Sequence, residues 1–149
     1  MSIKDRIQSD MKAAMRTKSK DRLAAIRFIW AAIKQREVDE QVSLNDAQVI
    51  NVLERMNKQH RDSIAQYQKA GRDDLVSKEA FELEIIQAYL PEAFSDAELD
   101  AIITDAIATT GAQSIRDMGK VMGILKEKVQ GRADMAVVSS RVKSRLSSG

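Results

Sequence analysis

The sequence predicts an all-α fold, and three observations carry that prediction. Apolar residues recur at three- and four-residue steps through most of the chain, the mark of helices with one buried side. Pro91 is the only proline in 149 residues, so little interrupts helical hydrogen bonding. Charged residues make up 31% of the chain, against 4% aromatics and six glycines, a balance that favours amphipathic helices. A hydrophobic content of 44% supplies a core, and the length fits one domain or two small ones. The expected division falls at Pro91, with a region of about four long helices over 1–90 and a bundle of three short helices over 91–149.

Ser2 with Asp5 resembles a loose capping box and opens a first helix over 3–17, whose apolar stripe is Ile3, Ile7, Met11 and Met15. A second helix over 21–39 turns Leu23, Ile26, Ile29, Trp30 and Ile33 inward, with the sole tryptophan assigned to the core. Lys20, Arg27 and Lys34 are spaced by seven residues, which places them along one edge with Ala24 and Ala31 between them. That basic stripe over small residues resembles a surface for phosphates; equally, it fits a solvated edge paired with neighbouring acids.

Ser43 is expected to cap a third helix over 44–70, in which Val49, Val52, Leu53, Met56, His60, Ile64 and Tyr67 share a side. His60 is the only histidine. A catalytic histidine needs an orienting partner and usually a nucleophile, and the sequence marks neither, so His60 is expected to be buried with one hydrogen bond. Gly71 ends this helix. A fourth runs from Asp73 or Asp74 to Leu90 with Leu75, Phe81, Leu83, Ile85, Ile86 and Tyr89 as apolar content. Glu79, Glu82 and Glu84 do not all share a face and have no E-x-x-H partner, so they are expected to be a solvated acidic surface.

Beyond Pro91, which disfavours helical geometry at Leu90, Ser95 and Glu98 form a clear capping box opening a fifth helix over 96–109. Leu99, Ile102, Ile103, Ala106 and Ile107 form its buried side, and Gly111 stops it. Ser114 is then expected to cap a helix running to Gly131. Met118, Val121, Met122, Leu125 and Val129 make its apolar face, yet Gly119 and Gly123 lie inside it. Each interior glycine costs about 1 kcal/mol relative to alanine, so two of them on one side need a reason. The bare strip, framed by Arg116, Lys120 and Lys126, admits either another helix or a phosphate backbone. Asp134 caps a last helix over 135–146, with Met135, Val137, Val138, Val142 and Leu146 inward and Arg141, Lys143 and Arg145 near its end.

A formal net charge of +2 conceals strong segregation. Residues 1–36 carry +7, residues 37–90 carry −5, residues 91–115 carry −5 and residues 116–149 carry +5. Such a chain either neutralises itself or offers basic surface to a polyanion. Without cysteine it has neither disulfides nor thiolate metal sites, and neither a metal nor a cofactor is expected. Its longest apolar run, Leu23 to Ile33, is far short of the ~20 residues that span a bilayer, so no membrane partner is expected. Met1 to Lys20 lacks the apolar segment of a secretory signal; its basic, acid-poor character is compatible with a mitochondrial transit peptide, but a cytoplasmic location is the expectation. There is no Walker-type loop, no G-x-G-x-x-G after a strand, no G-x-S-x-G and no H-E-x-x-H, and no residue is nominated as catalytic.

The run Asp117-Met118-Gly119-Lys120-Val121-Met122-Gly123, followed by Gly131 and Ala133-Asp134, resembles the tail domain shared by the GatB/YqeY family. The Tyr89-Leu90-Pro91 junction and the helix start Phe94-Ser95-Asp96-Ala97-Glu98 fit the same pattern. GatB is the subunit of the glutamine-dependent tRNA amidotransferase that ends in this tail, whereas YqeY proteins are short free-standing chains, and this sequence resembles the latter over essentially all its length. In GatB the chemistry belongs to other domains and the tail contacts RNA at the tRNA elbow. The resemblance therefore implies a non-catalytic accessory protein that binds RNA, with tRNA and components of the amidotransferase or aminoacyl-tRNA synthetase machinery as partners. The family label of carbon–nitrogen ligase with glutamine as amido donor attaches to that association and to no catalytic site in this chain. Residue by residue, the resemblance favours Lys120, Gly123 and Gly119 as the contact strip; Arg116, Lys126, Lys128 and Arg132 join them on charge and spacing, as do Lys20, Arg27 and Lys34. Two other readings stay open: a module that docks a partner helix on the glycine strip, and an enzyme of aminoacyl-tRNA amide chemistry.

Overall fold

Seven α-helices account for the regular structure among the described residues, which in this computed structural model are 1–148. They are α1 (Ile3–Arg16), α2 (Lys20–Glu40), α3 (Asp46–Lys69), α4 (Asp73–Tyr89), α5 (Asp96–Thr110), α6 (Met118–Val129) and α7 (Met135–Ser148), with a 3-10 turn at Ile115–Asp117 before α6. The chain divides into two compact units, Met1–Pro91 and Glu92–Gly149.

In the first unit, α1 pairs with α2 and α3 packs against α4. The core is built from Ile3, Ile7, Ile26, Ile29, Ile33, Val49, Leu53, Ile85 and Ile86, several of them fully buried. Met15, expected on the apolar stripe of the first helix, is exposed, and Ala14 is buried instead. Phe81 is also exposed at 40%, and Trp30 lies at the margin of the core with the Lys34 ammonium 4.7 Å from its ring centroid. Amphipathic side chains with an apolar body settle at such margins.

The starts of α1, α3 and α5 follow local capping chemistry, while those of α2 and α4 carry no side-chain cap. Ser2 and Asp5 exchange hydrogen bonds at the head of α1. At α3 the cap is Asn45, whose side chain bonds the Gln48 backbone while Gln48 reaches back, so Ser43 is not the cap. The loop before α3 is fastened by Glu37: its carboxylate accepts from Lys4 Nζ at 2.6 Å, Lys34 Nζ at 2.9 Å and the Leu44 backbone N–H at 2.8 Å. Three donors, Lys4 foremost, hold this carboxyl down at about 2. Tyr89 donates its hydroxyl hydrogen to Asp10 and carries the Arg6 guanidinium 5.4 Å from its ring centroid, which joins the end of α4 to α1.

The second unit closes around Leu99, Ile103, Ala106, Val121, Leu125, Val129, Val138, Val142 and Leu146. Ser95 and Glu98 form the capping box of α5, and Gly111 ends it in the left-handed conformation at φ 66°, which costs little only for a residue without Cβ. Val137, expected inward, is 43% exposed. Arg141 on α7 reaches Asp96 at 2.7 Å and Asp100 at 3.1 Å on α5, and Arg145 donates to Thr104. Arg141 and Arg145 of the basic C-terminal segment thus pair with acids of the segment before it.

Candidate functional site

Ser114 does not cap the glycine-bearing helix directly. It opens the 3-10 turn, and Asp117 reaches back to accept the backbone N–H groups of Gln113 at 2.9 Å and Ser114 at 3.3 Å. Those bonds, Gln113 first, hold the Asp117 carboxyl below the usual carboxylate range. The α-helix then begins at Met118 and is regular through both glycines. Val121, Leu125 and Val129 are fully buried against the neighbouring helices, which turns the other side of α6 to solvent. Gly119 and Gly123 lie on that side: both are exposed, and a Cβ added to either would meet nothing within 4 Å beyond its own stretch of helix. No helix of this unit covers them.

Helical phase decides which cations border the strip. Lys126 lies seven residues from Gly119 and three from Gly123 and falls beside both; Lys120 flanks the far edge, and Arg116 stands in the preceding turn. All three are exposed and form no ion pair within 4 Å among the described residues. Glu127 lies on the same face, so the strip carries one acid among its bases. Lys128 falls about half a turn away from the glycines and does not belong to the strip. Arg132 is engaged elsewhere: its Nε donates to the Glu92 carbonyl at 2.7 Å and its guanidinium lies 3.7 Å from the Phe94 ring centroid, with the Phe94 N–H bonded to the Arg132 carbonyl at 2.8 Å. This arginine pins the start of the unit to the end of α6.

Lys20, Arg27 and Lys34 belong to the first unit. All three are exposed, with exposed Ala24 and Ala31 between them. Lys34 is paired with Glu37, and Arg27 approaches the Met15 sulfur at 3.8 Å. The stripe exists in space, but its last member is neutralised.

A second cluster joins His60 to Glu79 and Glu82, residues that the sequence pattern does not connect. His60 is 7% exposed, its Nδ1 lies 2.9 Å from the Met56 carbonyl, and its Nε2 lies 3.1 Å from Glu82 and 3.4 Å from Glu79. Glu79 and Glu82 are thus not a solvated surface; only Glu84 of the three is exposed. An i, i+3 pair of glutamates on one helix is an ordinary surface pattern, and only the packing of α3 on α4 sets it against a histidine. No spacing in the sequence carries that signal.

A family model described as YqeY-like protein matches residues 4–146. "Altered inheritance of mitochondria protein 41, mitochondrial" from Pyrenophora tritici-repentis is 31% identical over 140 residues, covering 92% of this chain and 77% of that relative. The protein of the same name from Eremothecium gossypii is 35% identical over 113 residues, covering 71% of this chain and 62% of its own. That from Saccharomyces cerevisiae YJM789 is 29% identical over 123 residues, covering 78% and 66%. The chain therefore spans less than two thirds of the length of these last two relatives. Their names are those of mitochondrial proteins, which overturns the cytoplasmic expectation. That expectation rested on the lack of an apolar secretory segment, which bears only on secretion. A match over nearly the whole chain, together with the identity to the first relative, shows that this chain belongs to the YqeY-like family.

Proposed function

We propose that this chain is a non-catalytic RNA-binding accessory protein whose contact strip is the solvent face of α6, with tRNA as its RNA. The supporting observation is the open helix surface over Gly119 and Gly123, bordered by Arg116, Lys120 and Lys126. Two residues that cost helix stability stand where no neighbouring helix of the unit uses the space. A missing side chain lets a phosphate approach the helix surface, and unpaired cations beside it supply the attraction. Such contacts recognise backbone and shape rather than base sequence. The first unit adds Lys20 and Arg27 as a separate basic edge. A link to the amidotransferase or to aminoacyl-tRNA synthetases rests on the resemblance of the 117–123 run to the tail of GatB.

The test is tRNA binding by the full chain across a salt series. Wild-type affinity falls steeply with salt, and the double change Lys120→Glu with Lys126→Glu lowers the slope of log K against log salt by about 0.9 for each phosphate that the protein no longer neutralises. Lys128→Glu, off the strip, changes it less. A double variant that retains tRNA at low salt as well as wild type overturns the reading. The same series separates the runner-up, docking of a partner helix on the Met118/Met122 edge, because apolar docking survives ionic strengths that strip RNA.

A further inference from the structure

His60, Glu79 and Glu82 are not used by the RNA reading, and their geometry poses a charge problem. His60 Nδ1 faces the Met56 carbonyl at 2.9 Å. A carbonyl can only accept, so Nδ1 carries a hydrogen, and the uncharged ring then presents its lone pair at Nε2. That atom faces the Glu82 carboxylate at 3.1 Å and the Glu79 carboxylate at 3.4 Å. Three acceptor atoms, all within 4.8 Å of one another, converge beside a nearly buried imidazole. A buried imidazole lone pair held this close to two half-buried carboxylates calls for a cation between them.

We propose that this cluster binds a divalent transition-metal ion, Zn²⁺ by preference, clipping α3 to α4. Ligand atoms about 2.1 Å from a tetrahedral ion stand about 3.4 Å apart, and the two distances from Nε2 already match that edge. The Nδ1 hydrogen bond to a backbone carbonyl is the lock that metal-ligating histidines carry on their second nitrogen. Phe28 of α2 sets its ring edge to face with the imidazole at 6.4 Å, an apolar cover on that side. One imidazole and two carboxylates leave a fourth position for water, and the nitrogen ligand selects Zn²⁺ over the oxygen-seeking Mg²⁺ and Ca²⁺. His60 is the only histidine and there is no cysteine, so no other imidazole or thiolate competes for the ion.

Metal uptake at this cluster is independent of RNA binding and is tested without RNA. The full chain, stripped with a chelator and dialysed, is titrated with zinc sulfate by calorimetry, with magnesium chloride in parallel, while the His60 ring protons are followed by NMR. The expected result is one Zn²⁺ per chain, displacement or broadening of the His60 ring signals, a higher melting temperature and no response to Mg²⁺. Glu79→Gln and Glu82→Gln each weaken binding by at least about tenfold, and Glu84→Gln leaves it unchanged. Because His60 is buried and its replacement endangers the fold, the two glutamate variants carry the test, with helical circular dichroism as their folding control. Folded wild-type protein that takes up no Zn²⁺ overturns the proposal. Zn²⁺ binding that both glutamate variants retain at full strength overturns it as well.

Discussion

Gly119 and Gly123 give the sharpest statements at the scale of single residues. Both lie in the interior of a regular helix, neither has a positive φ, and a Cβ on either enters open space. Alanine at either position should therefore stabilise the second unit by about 0.5–1 kcal/mol through helix propensity, read as a shift of the denaturation midpoint at unchanged slope. Stabilisation by Gly119→Ala combined with weaker tRNA binding would mean that the glycine is kept for contact at a cost in stability. A larger side chain sharpens the effect: Gly119→Leu keeps the helix and weakens tRNA binding by holding phosphates away. If Gly119→Leu instead unfolds the unit, the strip serves packing. The sequence exposed this feature because a helical pattern with two glycines is internally inconsistent. His60 gave no such signal, since the two glutamates that face it lie on another helix.

At the scale of elements, the periodicity placed every helix because each buries one side, and Pro91, Gly71, Gly111 and Gly131 punctuate them. What periodicity missed were contacts that depend on how one element meets the next. Glu37 reads as one more acid near the end of a helix, yet it binds α1 through Lys4, its own helix through Lys34 and the loop before α3 through the Leu44 N–H. Those bonds exist for the ionised carboxylate and lower it from 4.5 to about 2. A carboxyl depressed on folding contributes stability that is complete above its unfolded value and is lost as pH falls toward its folded value. Wild type should therefore be more stable than Glu37→Gln at neutral pH, with the gap closing between pH 4.5 and pH 2. Denaturant midpoints of the two proteins across that range check it, and a gap independent of pH would remove Glu37 as the fastener. The Lys34 side of this hub also takes one of the three cations of the N-terminal basic stripe into an ion pair.

For the whole molecule, the two buried clusters are separate sets of residues, one from α1 to α4 and one from α5 to α7. A chain with two cores need not unfold in a single step. Trp30, the only tryptophan, lies in the first unit against its core, so its fluorescence reports that unit, while far-ultraviolet circular dichroism reports helices of both. Leu125 is fully buried at the centre of the second cluster, where Leu→Ala removes apolar packing and leaves a cavity worth about 2–5 kcal/mol. In the Leu125→Ala variant the helical signal should acquire an earlier transition, while the Trp30 transition keeps its wild-type midpoint. Ile33→Ala, in the first cluster, should do the reverse and move the tryptophan transition. The second unit has fewer than 60 residues, a size at which the surface removed from water barely offsets chain entropy, so its transition should come first in wild type too. Coincident shifts of both signals in both variants would mean that the two cores unfold as one.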